Sequence, residues 1–102
     1  MQKNFAMTRL EIKNLLEKYP DNPNKIDGII CSKRREVEEG FVILLYSPFP
    51  FRNQQERIEI IKDIVYNDRK FYYRYDNETP LPKGAKYLCD IGECDAGMLY
   101  II

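Results

Sequence analysis

Residues 70–75, KFYYRY, decide the fold class. They alternate: Phe71, Tyr73 and Tyr75 fall on one side, Lys70, Tyr72 and Arg74 on the other. A period of two is the geometry of a strand, and aromatic residues favour one. One side suits a core; the other is basic and aromatic. Residues 71–75 are therefore read as a strand with one face turned outward, and the chain must build a sheet around it.

Downstream, residues 76–84 (DNETPLPKG) form a loop, punctuated by two prolines and a glycine. Residues 85–91 read as a further strand, residues 92–97 (GECDAG) as a turn, and residues 98–102 as the last strand. Alternation within 85–91 sets Cys89 on the same side as Ala85, Tyr87 and Ile91, which suits a core thiol.

Upstream, Asn53 starts a helix. NQQE at 53–56 is a capping signal, and NDRK at 67–70 ends the run. Ile58, Ile60, Ile61, Ile64 and Val65 cover an arc of about 160°, so this helix should be well buried. Residues 47–51 (SPFPF) form an extended connector, because two prolines break helix and inner strand alike. Residues 41–46 (FVILLY) are apolar on both sides and read as a central strand. Residues 26–35 read as its antiparallel partner, with EVEEG at 36–40 as the turn. Residues 8–19 form the first helix. TRLE is a capping box, in which Thr8 accepts from the amide of Glu11. Ile12, Leu15, Leu16 and Tyr19 make its apolar stripe, with Leu10 on the opposite side, and Pro20 ends it. The expected order is α-β-β-α-β-β-β. It describes an α+β fold with an antiparallel or mixed sheet of about five strands and two helices packed on it.

The whole chain, residues 1–102, suits one domain, and 44% hydrophobic residues can supply its core. Sixteen basic and 16 acidic residues cancel, which argues against a polyanion mimic and against a strongly basic nucleic-acid binder. The chain has no histidine, which excludes His-based acid/base catalysis and imidazole zinc sites. Three cysteines, Cys31, Cys89 and Cys94, cannot all pair, so reduced thiols in the cytoplasm are expected. Cys89 and Cys94 make one close pair where a structural zinc site usually needs two, and no metal or cofactor is expected. The longest apolar run has six residues, and no membrane span is expected. Abundant Ile, Lys, Asn and Tyr, with three Ala and no Trp, point to AT-rich coding, as in a low-GC bacterium, a phage or a mobile element.

Three surfaces are candidates for contact. Lys70, Tyr72 and Arg74 form a basic and aromatic strand face, the type that can hold a single-stranded nucleic acid. Phe49 and Phe51 are rings held between prolines, cheap in entropy to present to a partner. Asp90, Glu93 and Asp95 make an acidic turn. No glycine-rich phosphate loop or catalytic constellation is present. The expected function is that of a small non-catalytic binding protein acting on another protein, as an inhibitor or immunity-type accessory protein does. A single-stranded nucleic-acid module is the alternative, and a small histidine-free enzyme the second alternative.

Overall fold

A computed structural model describes residues 6–47, 53–92 and 97–102. Within them, four helices precede a three-stranded sheet: α1 (Arg9–Lys18), α2 (Pro23–Ser32), α3 (Glu39–Tyr46), α4 (Gln54–Tyr66), β1 (Phe71–Arg74), β2 (Lys86–Asp90) and β3 (Met98–Ile101). The α+β class stands. The expected five strands and two helices do not, because the two segments read as the first hairpin are both helical.

The two expected helices form as their end signals dictate. Thr8 Oγ1 accepts from the Glu11 amide at 3.4 Å, and the Asn53 side chain accepts from the Glu56 amide at 3.0 Å. Ile12 and Leu16 bury the inner stripe of α1, while Leu10 is 66% exposed. Ile58, Ile61 and Ile64 bury the inner face of α4, with Ile60 and Val65 packed at its margins.

The expected strand at 26–35 is instead mostly the helix α2, whose start signal lies just before it. Asn22 caps α2 by accepting from the Lys25 amide at 3.2 Å, and Pro23 occupies the first turn. Ile26 and Ile30 are one helical turn apart and both buried. For residues 41–46 the reason differs. An unbroken apolar run carries no period and cannot distinguish a strand from a buried helix. In α3 the buried residues are Gly40, Phe41, Leu44 and Leu45, a four-residue spacing, and Gly40 lies inside the helix instead of in a turn. Helix α4 packs against α1, α2 and α3, so the hydrophobic centre of the helical layer surrounds it.

The sheet order is β1-β3-β2, antiparallel throughout, which places the last strand in the middle. Phe71 pairs with Ile101 and Tyr73 with Leu99, and these four side chains join the core with Cys89. Backbone pairing continues past β1, where Lys70 and Ile102 exchange both hydrogen bonds at 3.2 and 2.9 Å. Between Tyr87 and Cys89 the register shifts, so Tyr87 faces Tyr100 while Cys89 faces Leu99. Such a bulge corrects the expectation that Tyr87 shares the side of Cys89. One extra residue reverses the alternation, and it leaves both Leu88 and Cys89 buried. Strand β1 ends at Arg74, and Tyr75 beyond it is 64% exposed. No helix among the described residues is long and apolar enough to cross a membrane. Phe49, Phe51, Glu93, Cys94 and Asp95 lie outside the described residues.

Candidate interaction face

The side of the sheet opposite the helices is set by register. Tyr72, Tyr100 and Tyr87 form one row across β1, β3 and β2; Arg74, Met98 and Asp90 form the next. The rings make edge contacts. Tyr72 and Tyr100 lie 6.4 Å apart at 63°, and Tyr87 and Tyr100 lie 5.8 Å apart at 70°. The flanking rings cover the central one: Tyr100 is only 7% exposed, while Tyr87 is 46% exposed. T-shaped pairs of this type stabilise beyond their area, by about 0.5–1.5 kcal/mol each, so the three rings support one another.

Polar contacts fix the rim. The Tyr87 hydroxyl donates to Asp90 Oδ1 at 2.7 Å, and the Tyr72 hydroxyl donates to the Pro80 carbonyl at 3.4 Å. Burial, with the neighbouring Asp90 carboxylate, pushes the Tyr87 phenol up to about 12. Arg74 turns toward the β1–β2 loop, where Nε donates to the Thr79 carbonyl at 3.0 Å and Nη2 to the Asn77 carbonyl at 2.9 Å. The loop is stapled again by Asp76, which accepts from the Thr79 hydroxyl at 2.8 Å and from the amides of Thr79 and Glu78 at 2.6 and 2.9 Å. These hydrogen bonds, those of Thr79 foremost, hold the Asp76 carboxyl below the usual carboxylate range. A shallow depression at this end of the face is lined by Tyr75, Asp76, Asn77, Asp90, Gly97 and Met98.

Tyr72 and Arg74 thus lie on one face, as their alternation requires. Lys70 is exposed just beyond β1. The structure sets Asp90 in the same row as Arg74, across Met98. With strands about 4.8 Å apart, the two backbones are roughly 10 Å from each other. Asp90 and Arg74 therefore share a face, which the sequence did not disclose because strand order was unknown. Tyr87 and Tyr100 escaped notice as functional candidates. Tyr100 alternates visibly with Leu99 and Ile101, but the bulge hid Tyr87.

Two thiols lie elsewhere. Cys31 donates to Asp27 Oδ1 at 3.1 Å, and burial together with Asp27 pushes it up to about 11. Cys89 is fully buried between sheet and helices, and burial pushes it likewise up to about 11. Lys33, Arg34 and Arg35 lie in the turn that connects α2 to α3.

In comparisons with known proteins, no family model matches the chain, no curated protein matches its sequence and no solved structure matches its fold.

Proposed function

We propose that the chain is a small non-catalytic binding protein of the inhibitor or immunity type, and that it engages another protein through the outer face of its sheet. The row of three tyrosines carries this reading. Tyrosines pre-ordered by their own ring contacts offer amphipathic area at little entropic cost, the character of interface hot spots. One observation favours a protein over a single-stranded nucleic acid. Asp90 puts a carboxylate where a phosphate would run, and its Oδ1 accepts from the Tyr87 hydroxyl, which holds that charge on the face.

The test uses the full chain as bait in its native cells. Proteins captured by the wild type should be lost with Tyr72→Ala combined with Tyr87→Ala, and kept with Leu10→Ala. For a purified partner the double variant should cost about 2 kcal/mol or more of binding. Unchanged capture by both variants rejects the face. Titrations with single-stranded DNA and RNA at about 50 and 200 mM salt decide the alternative. Binding that falls steeply with salt and vanishes in Tyr72→Ala would favour the nucleic-acid module instead.

A further inference from the structure

The two rows of the outer face share an arrangement that a generic binding surface need not have. Strand β3 is central, and each row is built outward from it: Tyr100 between Tyr72 and Tyr87, Met98 between Arg74 and Asp90. The first row carries a tyrosine on each flank. The second carries a cation on one flank and an anion on the other. A half-turn about an axis lying along β3, just above the face, exchanges the flanks and keeps the rows. Met98 of one copy then meets its own counterpart, while Tyr100 lies on the axis beneath its flanking rings. Tyr72 meets Tyr87, and Arg74 meets Asp90 twice over. Complementarity of a patch to itself under a two-fold axis is what an isologous interface requires.

We propose that this face pairs with a second copy of the chain, sheet on sheet. The inference rests on the reading of the face as an interaction surface and names its occupant. Charge selects that occupant. A uniformly acidic partner would be opposed by Asp90 and a uniformly basic one by Arg74, whereas a second copy answers both. Arg74 keeps Nη1 without a partner among the described residues, so it can reach a carboxylate without releasing the loop. With the axis along β3 the two central strands run parallel, inside the range of about 30° found for aligned sheets, so groups near the axis stay in register. Three strands and two rows cover much less than the roughly 800 Å² per partner of a standard interface. The pair is therefore weak, forms at high concentration, and yields to a tighter partner that uses the same tyrosines.

Sedimentation equilibrium and NMR spectra of the full chain, from about 20 µM to about 2 mM, give the test. The expected result is a reversible dimer, a Met98 methyl resonance that moves with concentration, and an intermolecular Met98–Met98 contact in a mixed-label sample. Arg74→Glu and Asp90→Lys, each alone, set like charges opposite each other twice and should weaken the dimer at least about tenfold. An equimolar mixture of the two variants should regain it. The carboxylate introduced at position 74 of one chain then faces the ammonium introduced at position 90 of the other. A chain that stays monomeric to about 2 mM overturns the proposal, as does a mixture of two folded variants that regains nothing. If Arg74→Glu fails to fold, the wild-type Met98 contact decides: its presence supports the pairing and its absence rejects it. A monomer that still captures a different protein through Tyr72 and Tyr87 leaves the earlier reading standing and this one rejected.

Discussion

The ring of Phe71 lies against Gly40 so closely that a Cβ on Gly40 would stand 2.5 Å from Cγ and Cδ1 and 2.6 Å from Cδ2. The same ring meets Phe41 edge-on, with centroids 4.9 Å apart at 87°, and the Arg9 guanidinium lies 5.6 Å from its centroid. This is where the first strand docks on α3. Alanine is normally the better helix residue by about 1 kcal/mol. Here Gly40→Ala must displace a packed ring, and it should destabilise the fold by about 1–3 kcal/mol in denaturant melts. On a Phe71→Leu background the cost should shrink. An equal cost on both backgrounds would place the clash elsewhere.

Arg9 ties three elements together. Its Nε and Nη2 donate to the two carboxylate oxygens of Glu38 at 2.7 and 3.1 Å, and Nη1 donates to the Arg69 carbonyl at the α4–β1 turn. Hydrogen bonds to charged groups contribute about 1.5–3 kcal/mol, so Arg9→Ala should cost about 2 kcal/mol. Arg9→Lys should recover only part, because an ammonium cannot reproduce the planar fork. A double-mutant cycle with Glu38→Gln measures the pair. Coupling near zero would mean that packing on Phe41 and Phe71, and not the ion pair, carries the effect.

Ile61 and Leu10 contrast two helix faces. Ile61 is fully buried in α4, and Leu10 is 66% exposed on α1. Ile61→Ala should cost about 2–5 kcal/mol through lost transfer energy and the cavity left behind. Leu10→Ala should stay within about 0.5 kcal/mol, as surface substitutions do. Similar losses at both positions in urea melts would reverse the assignment of faces.

Legibility followed the strength of the local signal. Thr8 and Asn53 announce α1 and α4, because a cap is a short-range hydrogen bond that the residues themselves encode. Alternation at 71–75 announces β1, and the short runs at 85–91 and 98–102, separated by a glycine-bounded turn, announce β2 and β3. Helix α3 was illegible, since its apolar run suits any buried element and only its neighbours decide. Helix α2 carries its own start signal in Asn22 and Pro23, but that signal sits in a stretch, PDNPN at 20–24, whose prolines and asparagines equally suit a loop. The interaction face was half visible. Tyr72 and Arg74 follow from alternation, whereas the row that includes Tyr87, and the meeting of Arg74 with Asp90, depend on a bulge and on a strand order that no local pattern carries.

Cys89 should be a slow nucleophile. With Cys31 and Cys94 replaced by serine, the remaining thiol should react with iodoacetamide at pH 7 far more slowly in the folded chain than in urea, because the thiolate is the reacting species. Its pKa rises on folding from 9.0 to about 11. The stabilisation is therefore complete below about pH 9 and is lost as pH rises through about 11. Equal rates in folded and unfolded chains would contradict the burial of this thiol.

Asp76 gives the opposite pH dependence. Its carboxyl is held below the ordinary value of 3.8, first by the side chain of Thr79 and then by the amides of Thr79 and Glu78. A depressed carboxyl stabilises the fold fully above its unfolded value and ceases to do so as pH falls through the lower folded value. The β1–β2 loop should therefore hold down to about pH 4 and loosen below it. Amide exchange at Glu78 and Thr79, followed by NMR, reads this directly. Asp76→Ala should raise exchange at both amides at neutral pH, because their acceptor is gone. Arg74→Ala, which removes the donors to the Asn77 and Thr79 carbonyls, should release the loop without changing the pH at which the Asp76 staple fails by more than the small effect of one nearby cation. Protection at Glu78 and Thr79 that persists in Asp76→Ala would show that the loop is held by Arg74 alone.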